Sequence, residues 1–223
     1  LCPRALVNEF AEACAAEIRR MYGESESDRR NSQDLVHIID ERAFKRHAAL
    51  IKDAVDKGAI PVIGMDRAEP HLNLAEPPTI LVNVTADMEI MQSEIFGPIL
   101  PIVAYDSLDD AISFIQNRPK PLSLYIFGKS RKSIKRVLAE TTSGSTCVNN
   151  TIIQIENLSV PFGGVGMSGT GNYHGFYGFK AFSHERNVMR QGFLDAVTLF
   201  RPPYNKKRLS QITQKALKFL KRF

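Results

Sequence analysis

Eight consecutive residues, Glu94-Ile95-Phe96-Gly97-Pro98-Ile99-Leu100-Pro101, put a carboxylate and an aromatic ring two positions apart, directly before a Gly-Pro pair. Gly97 and Pro98 stop any preceding helix and turn the chain into an extended run beginning at Ile99. A carboxylate on such a loop can accept hydrogen bonds from two neighbouring ribose hydroxyls at once, and an aromatic face can pack on a flat heteroaromatic ring such as nicotinamide. Read alone, the same residues fit a surface carboxylate ahead of a turn. A second segment, Pro161-Phe162-Gly163-Gly164-Val165-Gly166-Met167-Ser168-Gly169, holds four glycines in nine residues. No Lys-Ser or Lys-Thr follows it and no βαβ unit of ~30 residues encloses it, which excludes a phosphate-binding loop. Its glycines instead allow positive φ and close backbone approach, with Phe162 projecting toward a pocket.

The elements that would position these residues follow from periodicity. Pro3 suits a first helical turn, and Leu6, Val7, Phe10, Ala13, Cys14 and Ile18 then recur at helical spacing until Gly23. Residues 24–33 read as an exposed loop and 36–39 as a short strand or loop. Residues 44–55 form a second helix ending near Gly58. Strands are expected at 60–63 and 79–84, joined by an open, polar loop containing Pro70, Pro77 and Pro78. From there the alternation is regular: strand 99–105, helix 108–116 capped by Ser107, strand 122–127, basic helix 130–139 and strand 144–148. This order predicts an α/β fold with a largely parallel sheet and flanking helices. An edge strand is expected at 184–191 and a terminal helix beyond Pro202-Pro203.

The two motifs together resemble the aldehyde dehydrogenase superfamily, in particular its class 3 branch, which takes fatty and aromatic aldehydes. The resemblance runs from Leu1 to about Phe200. Gly171-Asn172-Tyr173-His174-Gly175 and Ala181-Phe182-Ser183-His184 are similar to that branch's G-x-Y-H-G and F-S-H features. The resemblance implies that Glu94 holds the ribose of the NAD or NADP nicotinamide and that Phe96 lies beside the ring. It implies a substrate pocket lined by Phe162, by Ile152, Ile155 and Glu156 of the 149–156 segment, and by His174 at the mouth. Glu156 departs from the small or neutral residue expected there. A lone histidine such as His174 also fits one simply hydrogen-bonded in place. The division implied is a catalytic-domain portion at 1–183, an oligomerisation strand region at 184–200 and a basic C-terminal helix at 201–223, in a homo-oligomeric enzyme.

The family's chemistry runs through a cysteine that attacks the aldehyde carbon, leaving a thioester for water to hydrolyse. None of the three cysteines here stands in the family's G-Q-x-C context. Leu1-Cys2-Pro3 matches a later cysteine, Cys14 lies on an apolar helix face, and Cys147 is mid-strand without a neighbouring base. Nucleophile, general-base glutamate and oxyanion asparagine are therefore expected upstream; Asn149 and Asn150 do not match the asparagine's motif. The chain is expected to be a C-terminal portion, inactive alone. The other reading is a non-catalytic remnant that binds a partner through an exposed edge and the basic tail. An acyl-CoA or acyl-phosphate reductase relative is disfavoured by the Tyr-His-Gly and Phe-Ser-His features.

Composition adds limits. No apolar run approaches the roughly 18 residues of a membrane span. Irregularly spaced cysteines give neither a disulfide framework nor metal-ligand spacing, and fit a reducing compartment, the cytoplasm. The net charge of +5 is local: residues 1–100 carry 11 basic and 17 acidic side chains, while 201–223 carry eight basic and none acidic. That distribution argues against a nucleic-acid-binding domain. In the tail, Leu209, Ile212, Ala216, Leu220 and Phe223 share a helical face ringed by lysine and arginine. This fits a helix packed on its own protein or a partner subunit; a weak membrane-surface contact is the other reading.

Overall fold

The computed structural model describes residues 1–64 and 74–192, together with Val197, Pro202, Gln214, Leu217 and Lys218. The chain divides into two compact units, Leu1–Tyr177 and Gly178–Phe223. Pro70 and nearly all of the basic tail lie outside the described residues.

The first unit opens with β1 (Cys2–Pro3), a 3-10 turn and α1 (Val7–Tyr22). The buried stripe of α1 is Ala11, Ala15 and Ile18, whereas Leu6, Phe10 and Ala13 of the expected stripe are exposed. Two alanines let the helix lie close on the sheet, and their small side chains make a weak periodic signal. Residues 24–33 are not an open loop: α2 (Glu26–Arg30) forms there behind a capping box. Ser25 Oγ accepts from the Asp28 N–H at 3.0 Å, and Asp28 accepts in return from the Ser25 N–H at 3.0 Å. Arg29 is buried there, its guanidinium donating to the Glu24 carbonyl at 2.6 Å. Residues 36–39 are a loop, with Val36 and Ile39 exposed.

α3 (Glu41–Asp56), capped by Asp40, leads into β2 (Ile60–Ile63). β3 (Thr79–Val82) is buried at all four positions and ends two residues earlier than expected, at Asn83, whose φ is +57°. The run 99–105 is split into β4 (Ile99–Pro101) and β5 (Ala104–Tyr105). β4 pairs parallel with β3, and β5 pairs parallel with β1. The run thus changes partners midway: the Ile102 N–H donates to Leu81, and the Val103 carbonyl accepts from Cys2. β2 pairs antiparallel with β3.

Two core clusters flank β3. Ile80 and Val82 join Ala11, Ala15 and Ile18 of α1, while Leu81 joins Leu50 and Ala54 of α3 with Val84, Met88, Ile90 and Ile99. Alternation along one strand feeds both faces, giving a layered α/β arrangement.

Beyond lie α4 (Leu108–Gln116), β6 (Ser123–Ile126), α5 (Arg131–Glu140) and β7 (Ser145–Val148), with β6 and β7 parallel. Ser107 caps α4 as expected, while Ser130, expected as the first residue of its helix, is the cap of α5. A cavity of about 560 Å³ opens beside β6, between α4 and α5. α6 (Ile153–Glu156) is one short turn, and α7 (Gly175–Ala181) follows the glycine loop. In the second unit, residues 184–191, expected as an edge strand, are in no strand of this chain. A ladder needs a partner, and none pairs with them among the described residues. No helix among the described residues is long and apolar enough to cross a membrane.

Leu81 is the side chain that β3 contributes to the α3 face. Leu81→Ala is expected to destabilise the chain by about 2–5 kcal/mol in equilibrium urea unfolding. A loss below about 1 kcal/mol would show that β3 does not support that core.

Candidate functional site

The segment from Thr85 to Gly97 is carried by α3. At its start, Lys57 Nζ donates to the Asp87 carbonyl at 3.0 Å, and Asp53 accepts from the Glu89 N–H at 2.8 Å. Lys57 and Asp53 pair at 2.7 Å, and Lys57, with the Glu89 N–H, holds the Asp53 carboxyl below its ordinary range. Between the anchors, Met88 and Ile90 turn into the core.

At its end the segment is held from nearer the start of the same helix. Arg46 donates to the Glu94 carbonyl at 3.1 Å and also to the Ile95 carbonyl. Nε2 of His47 faces that Ile95 oxygen at 3.1 Å, and Nδ1 faces Glu76 Oε2 at 2.7 Å. His47 and Glu76 are wholly buried, so the expected open, polar loop is closed over at Ala75, Glu76 and Pro77. A Cβ added to Gly97 would lie 2.2 Å from His47 Cε1, so glycine is what lets the backbone rest on the imidazole.

The loop so held presents the two residues singled out from the sequence. Glu94 is exposed, and its carboxylate makes no hydrogen bond to another described residue. Phe96 has φ +51° and is 81% exposed. A carboxylate and an aromatic face stand open side by side on a fixed backbone.

A second group forms around the glycine loop. Phe162 and Tyr173 exchange backbone hydrogen bonds of 3.1 and 2.9 Å, closing the loop at its base. Phe162 is 7% exposed; its ring stacks on His174 at 5.6 Å and meets Tyr173 edge-on at 5.7 Å. His174 has φ +83°, and its buried Nδ1 has no hydrogen-bond partner among the described residues. Gly163 lets the strands meet: an added Cβ would be 2.1 Å from the Gly171 carbonyl oxygen.

Ile152, with φ +68°, is exposed, Ile155 half-buried and Glu156 exposed on the α6 turn. Gln154 ties that turn to β6 by donating to the Tyr125 hydroxyl at 3.1 Å. Asn149 brackets Gly128, accepting from its N–H at 2.8 Å and donating to its carbonyl at 3.0 Å, so its amide is occupied structurally. No hydrogen bond or ring contact joins the Glu94–Phe96 loop to the Phe162–His174 group among the described residues. The 560 Å³ cavity lies apart from both groups.

Sequence reasoning missed Arg46, His47, Glu76, Asp53 and Lys57, which hold the loop rather than face outward. His47 did carry a signal: it falls three residues after Phe44 and three before Leu50 on the buried stripe. An imidazole on such a stripe requires a buried partner.

Fold and site define an α/β domain that offers a carboxylate and an aromatic face from one braced loop. The aldehyde dehydrogenase family matches residues 1–188, and the chain belongs to that family. It is 41% identical over 180 residues to a probable coniferyl aldehyde dehydrogenase of Pseudomonas aeruginosa, covering 79% of this chain and 36% of the relative. To mouse aldehyde dehydrogenase family 3 member A2 it is 42% identical over 206 residues, covering 92% and 40%. Among solved structures, the substrate-bound state of Staphylococcus aureus AldH superposes with a TM-score of 0.79 at 36% identity, covering 96% of this chain and 45% of that one. The chain thus spans less than half the length of the relatives it matches.

The thiols bear on the reaction. Burial pushes the Cys2 and Cys14 thiols up, which keeps them protonated and poorly nucleophilic, and Cys147 is buried. Native chain at neutral pH is expected to take up a thiol reagent at Cys2 and Cys14 at least about tenfold more slowly than unfolded chain, and faster as pH rises. Site-resolved mass spectrometry reads both. Rapid labelling of either residue in the folded chain would mark it as a reactive thiol.

Proposed function

We propose that the complete protein oxidises a fatty or aromatic aldehyde to the carboxylate, and that residues 1–223 are a C-terminal portion inactive alone. The family works with NAD or NADP, which supplies the two-electron oxidant when bound. The observation that carries the reading is the braced 94–97 loop, with an open ring and a carboxylate that makes no hydrogen bond among the described residues. These residues fit the cofactor: Glu94 accepts the two ribose hydroxyls of the nicotinamide half, and Phe96 packs beside the ring and excludes water from it.

On the substrate side, Phe162 supplies the apolar wall and His174 stands at the mouth, with Ile152, Ile155 and Glu156 along the approach. The stacked Phe162 and His174 rings support a pocket suited to a flat or long apolar substrate. The nucleophile is assigned to another part of the protein, because Cys2 and Cys147 are buried and burial pushes the Cys2 and Cys14 thiols up. Association into a homo-oligomer through the 184–200 region, and a cytoplasmic location, belong to the same reading.

In the full-length protein, Glu94→Gln is expected to lower turnover about tenfold or more, near 1.4 kcal/mol, because an amide oxygen and nitrogen cannot both accept from hydroxyls. Unchanged steady-state kinetics for cofactor and aldehyde would remove Glu94 from the site. Phe162→Ala is expected to raise KM more for long or aromatic aldehydes than for acetaldehyde, since lost apolar contact costs roughly 25 cal/mol per Å². Equal effects on both substrate classes would leave Phe162 a structural role only.

A further inference from the structure

We propose that His47 is a positioning residue for the cofactor-facing loop, acting with Glu76 as a buried pair that sets the backbone on both sides of Phe96. The inference rests on the reading of Glu94 and Phe96 as cofactor contacts. Its ground is the juxtaposition of one imidazole with two successive points of the loop. On one side of Phe96, the Ile95 carbonyl lies 3.1 Å from His47 Nε2. On the other, Gly97 rests on the ring so closely that an added Cβ would sit 2.2 Å from Cε1 and 2.5 Å from Nε2. The residue between them is held at φ +51°, a conformation that side-chain-bearing residues rarely adopt.

Hydrogen-bond chemistry sets what each ring nitrogen faces. Glu76 Oε2 faces Nδ1 and the Ile95 oxygen faces Nε2. A carbonyl only accepts, so the Ile95 contact is made with the Nε2 proton, and Nδ1 shares its hydrogen bond with Glu76. His47 and Glu76 thus form a buried hydrogen-bonded pair, and Arg46 contributes a second donor to the Ile95 carbonyl, its guanidinium lying 3.4 Å from the same Nε2.

A buried pair of this kind is a poor device for stability, because apolar side chains of similar volume often do as well or better. What leucine cannot supply is a donor aimed at the Ile95 oxygen. Glu76 holds the ring plane, the ring holds the carbonyl and the glycine, and Phe96 is left pointing outward beside Glu94. Without the donor, Phe96 is free to leave positive φ, which swings its ring and shifts the carboxylate two residues before it.

The test uses the full-length protein. His47→Leu/Glu76→Leu removes both polar partners together and keeps an apolar core, so its thermal midpoint should stay near that of the parent. Amide exchange at Phe96 and Gly97 should accelerate about tenfold or more. Turnover should fall, or cofactor KM rise, about tenfold, with aldehyde KM little changed, the signature of misplacement at the cofactor. Gly97→Ala is the second variant: it leaves the His47–Glu76 pair in place and pushes the loop off the ring, so the same loop and cofactor effects are expected even where the double variant does not fold. A folded double variant with parental loop exchange and parental cofactor kinetics overturns the proposal, as does an unaffected Gly97→Ala. Glu94→Gln, run in parallel, separates the two ideas. If it leaves the cofactor untouched, the cofactor reading fails, while the exchange data still decide whether His47 anchors the loop.

Discussion

Everything that positions the site depends on β3 being buried on both faces. A strand of four residues with no exposed position must alternate its side chains between two separate cores. Ile80 and Val82 commit to α1, and Leu81 commits to α3. Shifting the register by one residue would exchange those faces and offer each helix the wrong side chains. The pairing with β4 places Thr79 opposite Ile99, so the end of the 94–97 loop is tied to the same strand.

α3 uses its two sides differently. Phe44, Leu50 and Ala54 face inward. Polar side chains on the helix and at its end reach the backbone of a segment thirty or more residues away, Lys57 and Asp53 near its start and Arg46 and the buried His47 near its end. The segment's buried residues, Met88 and Ile90, share a cluster with the same helix. A loop braced in this way gains the precision of the rigid element beneath it, which is what a constellation facing a ligand requires.

The sequence was legible where a local rule decided the outcome. Ser107 announces a helix because a hydroxyl before a helical run satisfies an otherwise orphan amide. Glu94 and Phe96 were visible because Gly97-Pro98 places them on a turn. α2 escaped because its signal was only a Ser25/Asp28 box in a charged stretch with no apolar period. The 99–105 run read as one strand because nothing in seven residues reveals a change of partner. Glu76 read as open loop because the histidine that buries it lies 29 positions earlier. Local rules do not reach across that distance, so the site's presenting residues were readable and its supports were not.

The clasp between Phe162 and Tyr173 separates the glycine loop into parts with different freedom to vary. Its base is closed by two backbone hydrogen bonds and is so tight at Gly163 and Gly164 that neither position has room for a methyl group. Its tip, at Met167, is 86% exposed, and nothing lies within 4 Å of the place where a side chain at Gly166 would begin. Extra residues inserted at the tip would lengthen an already closed loop at an entropic cost that grows only slowly with length. Evolution can therefore lengthen this loop outward, and give it a new surface, without moving the Phe162 and His174 rings beneath it.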